Sequence, residues 1–188
     1  MLRDMASVPL PGHRSPAASF EAPLEMLAAC HQRIEQQCET LRRLLPHVAA
    51  HGADAQAQQA ASAVMRYFDT AAAHHHQDEE EDLFPALIES MAGSDAVCLR
   101  DLVSALTDQH REMERHWAAL REELQRVAAG TASGLDAARV ERFVAAYAEH
   151  LRIEERELLP MATRLLDDAA LDAVGRSMRR RRGIDLPD

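Results

Sequence analysis

Residues 75–85 read HHQDEEEDLFP and residues 150–160 read HLRIEERELLP. Each stretch opens on a histidine, places a glutamate four residues later with a second beside it, and closes on Leu-x-Pro. His75, Glu79, Glu80, Leu83 and Pro85 thus fall on His150, Glu154, Glu155, Leu158 and Pro160, and Phe68 on Phe143, at a constant offset of 75. The segments upstream repeat too: Leu27, His31, Ile34 and Glu35 fall on Leu106, His110, Met113 and Glu114 at an offset of 79. Two related helical hairpins, each with one histidine on its first helix and an HxxxE pair on its second, are the simplest account.

Apolar residues recur at three- and four-residue spacing on either side of these motifs. From Pro23 to about Ala50 the seam is Leu24, Leu27, Ile34, Cys38, Leu41 and Leu45, and His31 fills its gap. A second helix starts near Asp54, a residue type suited to an N-cap, and runs past Val64, Phe68 and Ala71 to Leu87, with a bend expected at Pro85. The third, capped by Ser94 or Asp95, carries Leu99, Val103, Leu106, Met113, Trp117, Leu120, Leu124 and Val127, has His110 in its gap, and stops at Gly130. The fourth runs from about Leu135 through Val140, Phe143 and Tyr147 to Leu158, with Pro160 at a bend or stop. Four long helices with short connections imply antiparallel neighbours. The expectation is an all-α, up-down-up-down four-helix bundle over residues 21–165. A flexible arm precedes it over residues 1–20, and a short tail helix follows within residues 166–188, from Asp167 to Arg182.

Composition agrees. Hydrophobic residues make up 47% and charged residues 28%, with only seven Gly and eight Pro, a balance that favours helix. A formal charge of -10 argues against a general nucleic-acid binder, since phosphate affinity rests on clustered Lys and Arg. The one basic run, Arg179 to Arg182, reads as a solvated helix end. Cys30, Cys38 and Cys98 form no CxxC pair, which speaks against a disulfide framework and a thiolate zinc site. No stretch approaches the roughly 18 apolar residues of a membrane span, and the N-terminal residues hold no uninterrupted apolar signal core. A cytoplasmic protein without nucleic-acid or membrane partners is expected, with a homo-oligomer left open.

A lone histidine on an apolar seam is ordinarily a packed core residue. Here His31, His75, His110 and His150 stand near the middle of four different helices at matched depth, and Glu79 and Glu154 follow two of them by one turn on the same face. Turning four imidazoles and two carboxylates inward costs several kcal/mol per ionised group unless cations or protons neutralise them. Imidazole with carboxylate suits iron, zinc or manganese, and glutamates so placed can bridge two metals. The expected ligands are therefore His31, His75, Glu79, His110, His150 and Glu154. Glu35 and Glu114 extend the HxxxE count to all four helices but flank the seam, so they read as half-buried charges or as partners that orient an imidazole, with a role as further ligands left open. The register of Phe68 and Ala71 selects His75 and leaves His74 and His76 exposed. Cys38 and Trp117 read as core, and Tyr147, one turn before His150, reads either as core or as a hydrogen-bonding group near the metals.

CHQRIE at 30–35, HHQDEEEDLFP at 75–85, QHREME at 109–114 and HLRIEERELLP at 150–160 resemble the hemerythrin-like (HHE cation-binding) family in the order H…HxxxE…H…HxxxE. The likeness covers about Leu24 to Pro160. It implies two iron ions in a non-haem di-iron centre inside a four-helix bundle, reacting with dioxygen or a related small molecule such as nitric oxide or peroxide. The family's oxygen carriers have a further histidine where this chain has Glu114, and they set the last carboxylate five residues after its histidine, at Glu155. The repeat with Glu79 selects Glu154 instead. A centre richer in carboxylate favours ferric iron, which weighs against durable reversible oxygen carriage.

Three classes of function follow: a protein that binds or senses dioxygen, nitric oxide, peroxide or iron; a di-iron enzyme that consumes peroxide or nitric oxide; and an iron store, iron donor or zinc-stabilised scaffold. The ferritin-like pattern Glu-x-x-His is absent, as are HExxH, GxGxxG and a P-loop.

Overall fold

The structure, a computed structural model, describes residues 19–91 and 95–184. Among the described residues the chain is all-helical, in five helices. We label them α1, Pro23–His51; α2, residues 55–90; α3, Asp95–Ala128; α4, residues 137–165; and α5, Asp168–Arg181. Most of the expected N-terminal arm, and the expected cap Ser94, lie outside the described residues.

Short polar side chains start the helices. Asp54, Asp136 and Asp167 each accept a backbone N–H of the first turn of α2, α4 and α5, from Ala57 at 2.9 Å, Ala138 at 2.8 Å and Ala170 at 2.8 Å. After α3 the chain turns at Gly130, whose φ of 73° suits glycine, while Thr131 N–H donates back to the Arg126 carbonyl at 2.9 Å.

Pro85 and Pro160 neither stop nor break their helices. Each follows a π turn, Glu79–Leu83 in α2 and Glu154–Leu158 in α4, at the same offset as the sequence repeat. In both turns the next amide, of Phe84 or Leu159, donates five residues back to the Glu79 or Glu154 carbonyl. A proline lacks an N–H and its ring crowds the carbonyl four residues earlier. Widening the preceding turn relieves that crowding, so regular helix resumes over Phe84–Ser90 and Leu159–Leu165. A further π turn, Phe68–Ala72, holds Thr70, whose hydroxyl donates to the Arg66 carbonyl at 2.6 Å and competes with the helix ladder for it.

α1 packs on α2 and α4, and α3 packs on the same two. The buried seam of α1 uses Met26 and Leu44, leaving the expected Leu24 and Leu45 half-buried. Apolar packing divides into two clusters. One holds Ile34, Leu41, Val64, Phe68, Met113, Leu124 and Phe143; the other holds Leu27, Leu83, Phe84, Leu87, Leu106 and Leu158, together with Val174 and Met178 of α5. Along α1 the break between the clusters falls between Leu27 and Ile34, and along α3 between Leu106 and Met113. These are the turns that carry His31 and His110, so the polar layer lies between two apolar ones.

α5 lies against α1 and the middle of α2. Its approach depends on Gly175: a Cβ there would stand 2.0 Å from the Phe20 carbonyl oxygen and 3.2 Å from its carbon. Ala for Gly in a helix would by itself gain about 1 kcal/mol. The obstacle here is backbone, however, and forced overpacking costs about 1–3 kcal/mol. Gly175→Ala is therefore expected to lower the melting temperature by several degrees, and thermal denaturation giving an unchanged or higher value would show that α5 is not pressed against Phe20.

The basic run at the end of α5 is not simply solvated. Arg181 and Arg182 grip Asp78, a side chain with 0% exposure. Arg181 Nη1 donates to Asp78 Oδ1, Arg182 Nη2 donates to Asp78 Oδ2 at 2.6 Å, and Arg181 Nη2 reaches Glu81 and Asp82 at 2.8 Å each. The Arg179 and Arg182 guanidinium groups also lie 5.7 and 5.6 Å from the centre of the Phe20 ring.

Candidate metal centre

Each expected ligand stands on its own turn: His31 on α1, His75 and Glu79 on α2, His110 on α3, and His150 and Glu154 on α4. All six are buried. Glu79 divides its two oxygens, Oε1 lying 3.3 Å from His75 Nε2 and Oε2 lying 3.3 Å from His110 Nε2. Glu154 does the same, with Oε2 3.3 Å from His31 Nε2 and Oε1 3.2 Å from His150 Nε2. His31, His75, Glu79 and Glu154 therefore form one group whose ligand atoms lie within 4.8 Å of one another. Glu79, His110, His150 and Glu154 form a second, and both carboxylates belong to both groups.

Outer hydrogen bonds fix which imidazole nitrogen faces inward. His31 Nδ1 donates to Glu155 Oε1 at 3.3 Å, His110 Nδ1 to Glu80 Oε1 at 2.7 Å, and His150 Nδ1 to Gln109 Oε1 at 2.9 Å. With the proton on Nδ1, each Nε2 presents a lone pair to the interior. Those lone pairs meet further acceptors: His110 Nε2 and His150 Nε2 are 3.1 Å apart, and His31 Nε2, His75 Nε2 and three of the four Glu79 and Glu154 oxygens are buried without a hydrogen-bond donor. Converging acceptors repel unless something positive lies between them. Two donors bound at right angles to one ion at about 2.1 Å stand about 3.0 Å apart, close to the 3.1–3.3 Å separations seen here. The donor set fits a metal pair.

Protonation in the metal-free protein follows the same logic. Burial, then the charge of Glu154, drives the Glu79 carboxyl well above its ordinary range. Burial acts on Glu154 as well, but His150 and His31 outweigh it and hold that carboxyl below its ordinary range. Burial brings His75 down to about 3, and burial followed by the neighbouring His150 brings His110 down to about 4, so both imidazoles are neutral at neutral pH. Burial lowers His31, but the negative carboxylates of Glu154 and Glu155 beside its ring outweigh that and leave it raised.

Glu154 is fully buried while Glu155, at 53% exposure, sits outside against His31. Glu35 and Glu114 are exposed rather than half-buried, and Glu114 pairs with Arg111 at 3.1 Å. Cys38 and Tyr147 are core, while Trp117 is half-buried and donates its indole N–H to Asp69 at 2.9 Å. His76 departs from expectation: it is buried, and its ring stacks on that of His110 with centres 4.0 Å apart. Of the outer partners, Glu155 figures in the sequence only as the alternative to Glu154 as a ligand, and Glu80 and Gln109 carry no expectation there, although the offset of 75 that relates Glu80 to Glu155 was a signal available for Glu80.

A cleft of about 450 Å³ opens beside this layer, lined by His76, Glu80, Arg111, Trp117 and Tyr147 among others. No helix among the described residues is long and apolar enough to cross a membrane.

Buried imidazoles and carboxylates gathered from four helices define a helical cation-binding protein. The chain belongs to the family of the hemerythrin HHE cation binding domain, whose model matches residues 22–162. An uncharacterized protein of Haemophilus influenzae is 30% identical to it over 167 residues, 89% of this chain and 94% of that protein.

Proposed function

We propose that this protein holds two iron ions in a single up-down-up-down four-helix bundle over residues 21–165, followed by a tail helix, and that the pair binds or senses dioxygen or a related small molecule. His31 and His75 would hold one ion and His110 and His150 the other, with Glu79 and Glu154 shared between them. The observation that carries the reading is the division of each buried carboxylate between two imidazole pairs. The cycle of helix contacts, α1 with α2, α2 with α3, α3 with α4 and α4 with α1, supports the bundle.

When bound, iron supplies a Lewis acid and a redox centre. The chain supplies orientation and exclusion of water. Glu155, Glu80 and Gln109 hold the His31, His110 and His150 rings by their outer nitrogens, the kind of support whose loss costs about 10–100-fold in metal affinity. Apolar layers close the site above and below, and the cleft gives a small molecule a route to its edge.

The test is metal analysis and optical spectroscopy of protein purified without chelator, oxidised and reduced, beside His75→Ala. About two iron atoms per chain are expected, with charge-transfer bands that respond to dioxygen or nitric oxide, and the variant should lose at least one ion. Zinc or manganese in place of iron, or iron indifferent to these ligands, would move the protein to a scaffold or store. Rapid multiple turnover of peroxide or nitric oxide would make it an enzyme.

A further inference from the structure

Residues 78–82 read DEEED, consecutive acids around the turn of α2 that carries Glu79. The chain meets them from three directions. Glu79 faces the imidazoles of the centre, and Glu80 pairs with His110 at 2.7 Å and with Arg111 at 2.6 Å. Asp78, Glu81 and Asp82 are all met by Arg181 or Arg182 at the end of α5. At the offset of 75 the matching stretch of α4 reads IEERE, residues 153–157, so Asp78, Glu81 and Asp82 fall on Ile153, Arg156 and Glu157. Ile153 packs against the apolar cluster. One ligand-bearing turn is thus backed by apolar packing, and the other is gripped by ions from the tail helix.

Stability alone does not account for the clasp. Ile153 shows that an apolar side chain suits the matching place, and a buried ion pair is often no more stabilising than apolar residues of similar volume. What the ions add is direction. Asp78 receives one guanidinium on each of its oxygens, and Arg181 reaches on to Asp82, so the clasp holds the Glu79–Leu83 π turn both at its entry and within it. A π turn departs from the hydrogen-bond ladder of the helix around it, so an outside grip helps to set where Glu79 stands. We propose that Arg181 and Arg182 are positioning residues for the metal centre, acting through Asp78 and Asp82 on the turn that carries Glu79. This rests on the dimetal reading above, in which Glu79 is shared by both ions. Release of α5 then weakens metal binding, and by reciprocity metal binding tightens α5 by the same factor. α5 lies beyond residues 22–162 that match the family. The coupling therefore gives occupancy of a buried centre an expression in a helix outside that match.

The test has two arms, both on the full chain. Hydrogen exchange is compared between metal-free and cobalt(II)-loaded wild type, following those α5 amides that exchange by local opening rather than by global unfolding. Loading should slow them by about tenfold or more, a readout that needs no variant. Equilibrium dialysis then gives cobalt(II) affinity for wild type, for Arg181→Ala with Arg182→Ala, and for that pair combined with Asp78→Asn. Wild type should take up two ions, and both variants should bind about tenfold or more weakly. The triple variant no longer strands a buried charge, so it regains stability without regaining the grip, and it separates positioning from folding. Wild-type affinity in the triple variant, or α5 exchange unchanged by two bound ions, would overturn the coupling and leave the dimetal reading standing. Uptake of fewer than two ions by wild type would overturn the dimetal reading and the coupling with it.

Discussion

Replacing Glu154 by alanine is expected to empty both metal positions, a larger loss than removal of any single histidine. Each oxygen of Glu154 faces a different imidazole, His31 at 3.3 Å and His150 at 3.2 Å, so one substitution takes a donor from each ion. Losing a partner that only orients a ligand costs about 10–100-fold in affinity; losing a shared ligand should exceed about a hundredfold for both ions. Equilibrium dialysis measures this directly, and retention of one ion at wild-type affinity would show that the carboxylate is not shared.

The double substitution Arg181→Ala with Arg182→Ala is expected to destabilise the protein more than any other change on its surface. Asp78 has no exposure, and these two guanidinium groups, themselves only 14% and 19% exposed, are its charged partners. Removing the partners of a buried charge costs about 3–5 kcal/mol, which at this chain length corresponds to about 6–20 °C in melting temperature. Adding Asp78→Asn should recover part of the loss, since the stranded charge is then gone. A change within about 0.5 kcal/mol for the double variant would place the clasp among ordinary surface contacts.

The six ligand candidates were legible because three rules coincide on them. Their spacing keeps them on the apolar seams, their order repeats at offsets of 75 and 79, and residue chemistry makes the same groups the costly ones to bury. His76 was not legible for a geometrical reason. A periodicity argument gives a helix one buried face, but here the His75 ring meets His31 of α1, the His76 ring meets His110 of α3, and α5 lies against the same turns, so His75, His76, Asp78 and Glu79 are all covered at once. The clasp was hidden by distance along the chain. A run of four arginines reads as solvated until it is known that α5 folds back over Asp78, and nothing local to either segment announces their meeting. The prolines misled in another way: a helix can absorb Pro85 and Pro160 by widening the turn before each, and sequence spacing alone does not distinguish that from a stop.

Each hairpin contributes the two imidazoles of one group and one of the two shared carboxylates, while its outer glutamate reaches over to a histidine of the other. A single hairpin is thus half of something it cannot finish, with two imidazoles and a carboxylate facing a missing complement. The complement is the other hairpin, its repeat along the same chain. His76 against Leu151 and Gln109 against Cys30 are where the two halves differ beside the site, and these differences give an otherwise two-faced centre a front and a back.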